Sequence, residues 1–331
     1  GEDDGKRFCS MFDITPEGNF EGRSIPNLIH AEETDWDFIE SCRVKLFEAR
    51  EKRVRPFRDD KVLTSWNALM AASFAIGGRI FKDKSLIDAA ENAVSFIRTK
   101  LTREDRRLLA RYRDGEAGIP AFLDDYAYLQ WAYIELYQST FDPGYLVDAV
   151  SINVEINRLF LDNEKGGFFF YGNDAEELIA RPKDAYDGAM PSGNSVMAMN
   201  LLRLSRITGD LSFTNSYENL LRTFSGQISN TPLGYIYMLA SFLTYSQPSR
   251  EIILFSDEPE NALPFVNVIR EHYNPFTTTV LYEKNCSRLQ ELIPHIKDYA
   301  VPDGKTHAYV CENFTCNKPV SDLNEFIRMM S

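Results

Sequence analysis

The sequence predicts a mainly α fold of repeated helical hairpins, followed by a small α/β module. Segments that are apolar on almost every side alternate with segments that are apolar along one stripe, as buried and covering helices do. The turns that join them have similar sequences, namely FKDKS, FDPG and TGDLS. Beyond residue 248 the pattern changes to short strand-like runs. We therefore predict a helical domain at 1–248 and an α/β module at 249–331.

The helical domain is predicted to contain inner helices, buried on every side, and outer helices that cover them. The inner segments are 62–81, 121–141, 193–209 and, for a fourth, 231–245. The outer segments are 85–101, 144–160 and 211–228, and 34–51 resembles an outer helix without an obvious partner. This is an internal repeat of helical hairpins.

The connections from an outer helix to the next inner helix are long, at 108–125 and 166–194, and contain strand-like runs broken by Gly, Pro, Asp and Asn. All of them must reach the N-terminal ends of the inner helices. Long loops that meet on one face of a rigid scaffold commonly carry binding and catalysis, so we expect the functional site there.

The C-terminal module is predicted to contain strands at 250–257, 277–283 and 306–313 and a helix at 261–273. It has no glycine-rich phosphate-binding motif, so we predict no nucleotide site and no cofactor.

Composition excludes two classes of partner. The formal net charge of −13 argues against nucleic acid, which requires a basic face. No run of about 18 apolar residues is present, so no membrane span is predicted. The five scattered cysteines favour a reducing compartment, and we expect a cytoplasmic protein. The chain does not open on Met, so an upstream targeting segment could have been removed.

Four motifs carry a resemblance to a known family: RPFRDDKVLTSWNALM, GIPAFLDDYAYL, YDGAMPSGNSVMAMNLLRL and AYVCENFTCNKPV. They resemble the thioredoxin-domain family of spermatogenesis-associated protein 20 and its bacterial homologues. The hairpins resemble the (α/α)6 toroid of six-hairpin glycosidases and N-acylglucosamine 2-epimerases. The resemblance implies a partial toroid that lacks its first hairpins. It also implies a partner that covers the open flanks, either an upstream thioredoxin-like and toroid segment or a second copy of the chain.

Two acidic pairs precede the first two inner helices, Asp59-Asp60 and Asp124-Asp125. Glycoside chemistry uses two carboxylates that flank the scissile bond. Adjacent side chains point apart, so neither pair can serve alone. We predict that Asp60 and Asp125, one from each pair, are the catalytic carboxylates. The alternative is that these residues only cap helices.

Further polar and aromatic residues at these helix starts are predicted to bind the substrate. Trp66 would stack on a sugar ring and Asn67 would bond to hydroxyls. Gly188 and Gly193 in the third motif suggest a close backbone approach to a ligand or to another helix. The predicted substrate-binding residues are Asp59, Lys61, Trp66, Asn67, Asp124, Tyr126, Asp187, Ser192 and Asn194.

These features predict a carbohydrate-active domain, hydrolase-like or isomerase-like, that takes a small sugar-like ligand. The alternative is a non-catalytic binding or scaffold domain. No histidine lies in the inner-helix motifs, which counts against epimerase chemistry by this chain alone.

A third interpretation is a redox protein acting through Cys311 and Cys316. With Cys286 and His307 these cysteines could also form a zinc set, but the spacing does not match known metal motifs. We therefore predict ordinary thiols rather than a regulated disulfide or a metal site.

Overall fold

The computed structural model describes residues 1–330 except 32–33, 177–178, 249, 273, 285, 302 and 313–314. It divides into two compact units, Gly1–Asp60 and Lys61–Ser331, which are described separately. The predicted domain boundary at residue 248 stays a prediction. Among the described residues, no helix combines the length and apolarity needed to cross a membrane.

The first unit contains α1 (Glu2–Met11) and α2 (Trp36–Glu51). Asp35 caps α2 by accepting a hydrogen bond from the Phe38 amide at 3.0 Å, and Arg7 of α1 pairs with the same carboxylate at 2.9 Å. The helix predicted at 34–51 is confirmed, whereas α1 was not predicted. Between α2 and Lys61 the chain has no regular secondary structure.

The second unit begins with the predicted helical hairpins. The inner helices are α3 (Thr64–Phe81), α5 (Leu123–Thr140), α7 (Gly193–Thr208) and α9 (Ile236–Ser246). The outer helices are α4 (Lys84–Lys100), α6 (Pro143–Phe160) and α8 (Leu211–Asn230). Each inner helix packs on the next in chain order, and each outer helix packs on the inner helix before it. The mainly α fold of helical hairpins, part of an α/α toroid, is confirmed.

The three inner-to-outer turns share one geometry. The inner helices α3, α5 and α7 end in a left-handed residue, at Lys82, Phe141 and Gly209. An aspartate follows each of them, and its carboxylate accepts an amide hydrogen bond in the first turn of the outer helix at 2.8–2.9 Å. The left-handed residue ends one helix and the aspartate starts the next, which explains the repeated turn motif.

Two small sheets complete the second unit. β1 (Val62–Leu63), β2 (Leu109–Arg113) and β3 (Glu116–Pro120) form an antiparallel sheet beside the start of α3. The other sheet has the order β5-β4-β6-β7, formed by β4 (Arg250–Ser256), β5 (Thr277–Glu283), β6 (His307–Glu312) and β7 (Thr315–Cys316). β4 is parallel to β5 and antiparallel to β6. The strands predicted in the C-terminal module are confirmed.

The larger sheet is covered on both faces. Ile253, Phe255 and Val280 join the core of the hairpin helices, whereas Ile252 and Leu254 face a second core. The second core also contains residues of α10 (Pro259–Glu271) and α12 (Leu323–Met330). α11 (Ser287–Leu292) follows β5. Neither α11 nor α12 was predicted.

One prediction concerning the second unit was wrong. The strand-like runs at 166–194 form no strand among the described residues of that loop and make one isolated bridge, Leu161 with Phe168. The aromatic side chains there instead stack in pairs, as Phe122 does on Phe170 with ring centroids 5.1 Å apart.

Adjacent glycines in α3 give a matched test of how closely α3 and α4 pack. A Cβ at Gly78 would lie 2.6 Å from Ile87 Cδ1 and 2.9 Å from the Asp83 carbonyl oxygen, whereas one at Gly77 would lie no closer than 3.4 Å to Leu86 Cδ1. Gly78→Ala should therefore lower the free energy of unfolding by about 1–3 kcal/mol. Gly77→Ala should leave it unchanged or raise it by up to about 1 kcal/mol. Urea denaturation checks both, and equal effects would contradict the packing described.

Candidate functional site

A carboxylate joins the starts of α3 and α5. Asp125 Oδ1 accepts a hydrogen bond from the Ser65 amide in the first turn of α3 at 2.8 Å. Its Oδ2 accepts one from the Phe122 amide, at the N-cap of α5, also at 2.8 Å. The residue is only 3% exposed. The amide groups at the start of a helix have no acceptor within that helix. Asp125 therefore supplies the acceptors for one such amide group on each of two helices.

Asp187 has the same role at the next pair of inner helices. Its Oδ1 accepts from the Ser192 amide at 2.9 Å, at the N-cap of α7. Its Oδ2 accepts from the Tyr237 amide in the first turn of α9 at 2.8 Å. Asp125 and Asp187 thus tie four helix starts together in pairs, and the inner helices begin at one common end, as the loop lengths predicted.

Asp124 provides the link between the two pairs. It lies against Gly193, the first residue of α7, where a Cβ would be 2.4 Å from Asp124 Oδ1. The close approach suggested by the glycine in this motif is therefore to a neighbouring helix. Together Asp124, Asp125 and Asp187 are called the N-terminal carboxylate row below.

The pKa of Asp124 is raised to about 6. Burial is the main cause and the charges of Asp125 and Asp184 add to it, against the lowering effect of the Gly193 amide. Burial also raises the pKa of Asp125 to about 6, although the Phe122 and Ser65 amides oppose the shift. Asp124 differs in being partly accessible to solvent, whereas Asp125 is buried.

Three predicted substrate-binding side chains are hydrogen-bonded within the protein. The Tyr126 hydroxyl accepts from the Leu108 amide at 2.9 Å. Ser192 caps α7 by accepting from the Ser195 amide at 3.2 Å. Asn194 donates to Asp184 O at 2.7 Å and exchanges two bonds with the Phe168 backbone. The bonds of Ser192 and Asn194 hold the loop before α7 in place, and the bond of Tyr126 holds Leu108 just before β2. A role in substrate binding stays a prediction for all three.

The remaining predicted residues lie at or before the start of α3. Trp66 is 61% exposed. The Asn67 side chain donates to the Leu63 carbonyl at 2.8 Å, which fixes the start of the helix. Lys61 is exposed, and Asp59 and Asp60 are exposed at the end of the first unit. The pairing of Asp60 with Asp125 stays a prediction.

A central polar cluster, consisting of Arg79, Trp131, Glu135, Arg203 and Tyr237, was missed by the sequence analysis. Glu135 accepts hydrogen bonds from Arg203, from Arg79 at 3.1 Å and from Trp131 Nε1 at 3.1 Å. Burial favours a higher pKa for Glu135, but the charges of Arg203 and Arg79 outweigh it and hold the pKa at about 2. The Trp131 and Tyr237 rings lie 5.4 Å apart. The available signal was a glutamate that is the only charged residue of α5 beyond its first turn.

The cysteine prediction was wrong in part. Cys311 and Cys316 lie directly opposite each other on β6 and β7 and form a disulfide. Cys9, Cys42 and Cys286 are free thiols. Within the described ranges, no group of three or more His, Cys, Asp or Glu side chains is arranged to hold a metal ion.

The raised pKa of Asp124 predicts a pH-dependent stability difference. A carboxyl whose pKa rises on folding costs stability when it ionises, so its contribution falls as pH rises from about 4 to about 6. As the pH rises from 4 to 7, the free energy of unfolding of Asp124→Asn should therefore increase by about 1–3 kcal/mol relative to that of the wild type. Urea denaturation across this range checks it.

The matched control is Asp83→Asn. Hydrogen bonds from Ser85 lower the pKa of Asp83, so this variant should show no gain over the same pH range. A constant difference between Asp124→Asn and the wild type would contradict the assignment of Asp124.

Comparison with known proteins gives relatives in sequence and in structure. The chain is 29% identical to human spermatogenesis-associated protein 20 over 300 residues, covering 86% of this chain and 38% of the relative. An uncharacterised protein of Caenorhabditis elegans is 26% identical over 295 residues, which cover 87% of this chain and 40% of that protein. The chain thus spans well under half the length of these curated relatives. No protein-family model matches it.

Solved structures with similarity to the chain include two sugar-acting enzymes. One is a GH76 alpha-mannanase of Bacteroides thetaiotaomicron, with 14% identity and a TM-score of 0.49, covering 64% of this chain and 57% of that one. The other is a cellobiose 2-epimerase of Bacillus thermoamylovorans, with 13% identity and a TM-score of 0.44, covering 85% of this chain and 77% of that one.

On the sequence match, the chain is a homologue of spermatogenesis-associated protein 20, as its motifs predicted.

Proposed function

We propose that the chain is a carbohydrate-active domain that binds a sugar at the N-terminal ends of its inner helices, with Asp124 as the proton-exchanging group. The observation that carries the proposal is the state of Asp124. It is partly accessible and its pKa is about 6, which suits a group that gives and takes protons near neutral pH. Whether the chemistry is hydrolase-like or isomerase-like depends on a second group.

The other members of the N-terminal carboxylate row are better suited to positioning. Both oxygens of Asp125 and both of Asp187 accept backbone hydrogen bonds at 2.8–2.9 Å. These bonds fix both carboxylates against the helix starts, and Asp125 is in addition buried, so its remaining lone pairs are not accessible to a substrate. The proposal therefore moves the proton-exchanging role from Asp125 to Asp124, and a catalytic role for Asp60 stays a separate prediction.

The alternative, a non-catalytic scaffold, is supported by the same capping bonds. It is also supported by apolar side chains that stay exposed on the first and last inner helices, namely Trp66, Met70, Ile236, Phe242 and Leu243. Apolar surface of this kind is typical of a covered interface. An upstream thioredoxin-like and toroid segment, or a second copy of the chain, stays the proposed partner. A cytoplasmic location stays a proposal, and the Cys311–Cys316 disulfide counts against it because disulfides are rare in reducing compartments.

Thermal denaturation with a panel of mono- and disaccharides tests the sugar proposal. A ligand that binds the folded state raises Tm in a concentration-dependent way. We expect at least one sugar to give a saturable rise, and Asp124→Asn to weaken it about tenfold or more while the protein stays folded.

Asp210→Asn is the matched control. Asp210 caps α8 at the opposite end of the hairpins, and Asn is an equally good cap, so sugar binding should be unchanged. If no sugar raises Tm, or if the rise is the same in Asp124→Asn, the scaffold alternative is favoured.

A further inference from the structure

A cavity lies at the C-terminal ends of α3 and α5, away from the N-terminal carboxylate row. Its volume is about 410 Å³, and residues of α3, α5, α10 and β5 line it. Part of the wall is apolar, formed by Ile80, Phe141, Val266 and Ile269. Small-molecule sites commonly combine such a wall with a few fixed polar groups, at volumes of roughly 300–1,000 Å³.

Two guanidinium groups line this cavity, and they are not balanced by carboxylates. Arg79 pairs with Glu135 at 3.1 Å, but Glu135 also pairs with Arg203. Arg270 forms no ion pair with any carboxylate in the described part of the chain. Its Nη2 instead donates to the Ser139 carbonyl oxygen at 2.7 Å. Burial lowers the pKa of Arg270, and the charge of Arg79 adds to this effect.

Among the described residues that line the cavity, the one carboxylate is already paired. Glu271 accepts a hydrogen bond from Lys82 Nζ at 2.8 Å, and both side chains are largely exposed. It therefore does not neutralise Arg270, and the lining as a whole carries excess positive charge.

Two buried donors on the same lining have no acceptor. Arg270 Nε and Asn274 Nδ2 are inaccessible and make no hydrogen bond to any described residue. A buried donor without a partner costs about 1–3 kcal/mol, so such groups in native proteins call for an explanation. Both groups are donors, which indicates that the missing partner is rich in acceptors.

We propose that this cavity binds a small organic anion, a phosphate monoester or a carboxylate with an apolar portion, through Arg270, Asn274 and Arg79. A guanidinium group can donate two parallel hydrogen bonds to a planar carboxylate or to two oxygens of a tetrahedral phosphate. The apolar portion would contact Phe141 and Ile269. The site is independent of the proposed sugar site, so either proposal can fail alone. The competing explanation is that Arg270 only caps the C-terminal end of α5 through Ser139.

Calorimetry on the full chain with four probes distinguishes the ligand classes. Phenyl phosphate and benzoate share a ring and differ in the anion, benzyl alcohol is the neutral control, and inorganic phosphate lacks the apolar portion. We expect saturable binding of phenyl phosphate, benzoate or both, weaker binding of inorganic phosphate, and none of benzyl alcohol.

Variants locate the site. Arg270→Gln removes the charge, and Asn274→Asp replaces a donor with a negative charge without touching the contact to Ser139. Each should weaken anion binding about tenfold or more. Arg288→Gln removes an equal charge from a different cavity and should leave binding unchanged. No saturable binding of either aromatic anion, or equal binding by the wild type and Asn274→Asp, would overturn the proposal in favour of the capping role.

Discussion

The packing of the inner helices depends on how their unpaired first-turn amides are satisfied. For α3 and α9 the acceptor comes from a different element: Asp125 accepts from Ser65 on α3, and Asp187 accepts from Tyr237 on α9. An ordinary cap serves its own helix, whereas these carboxylates serve two helices at once. The starts of neighbouring helices are therefore fixed relative to each other by hydrogen bonds as well as by apolar contacts.

The charge distribution follows the helix dipoles. Carboxylates gather at the N-terminal ends, and arginines gather at the C-terminal ends, where Arg270 donates to Ser139 O and Arg206 donates to Thr244 O. Each sign is favourable at its own end. The two proposed sites differ in charge in the same way. One end presents a carboxyl with a pKa near 6. The other presents guanidinium groups that suit an anion.

Much of the fold could be predicted because it is encoded locally. Apolar periodicity predicted the hairpin helices to within a few residues, and the similar segments FKDKS, FDPG and TGDLS predicted the turns between them. The strands of the C-terminal module were also predictable as short apolar runs. The loop at 166–194 was not, because its aromatic residues stack on other elements and leave the backbone irregular.

The site could be predicted only in part, because its properties depend on contacts distant in sequence. The motifs identified Asp124, Asp125 and Asp187, but not which helix each carboxylate would reach. Glu135 was missed since its two arginine partners lie on different helices. Asp124 and Asp125 are adjacent and alike in sequence. Their roles differ only through packing against Gly193 and Ser65.

Native-state hydrogen exchange of the Ser65 and Tyr237 amides tests the central claim most directly. Amides in the first turn of a helix lack an intrahelical acceptor and normally exchange quickly. The account predicts that these two are protected as well as amides in the middle of α5, and that Asp125→Asn and Asp187→Asn each deprotect their own partner first. Rapid exchange of both amides in the folded wild type would contradict it.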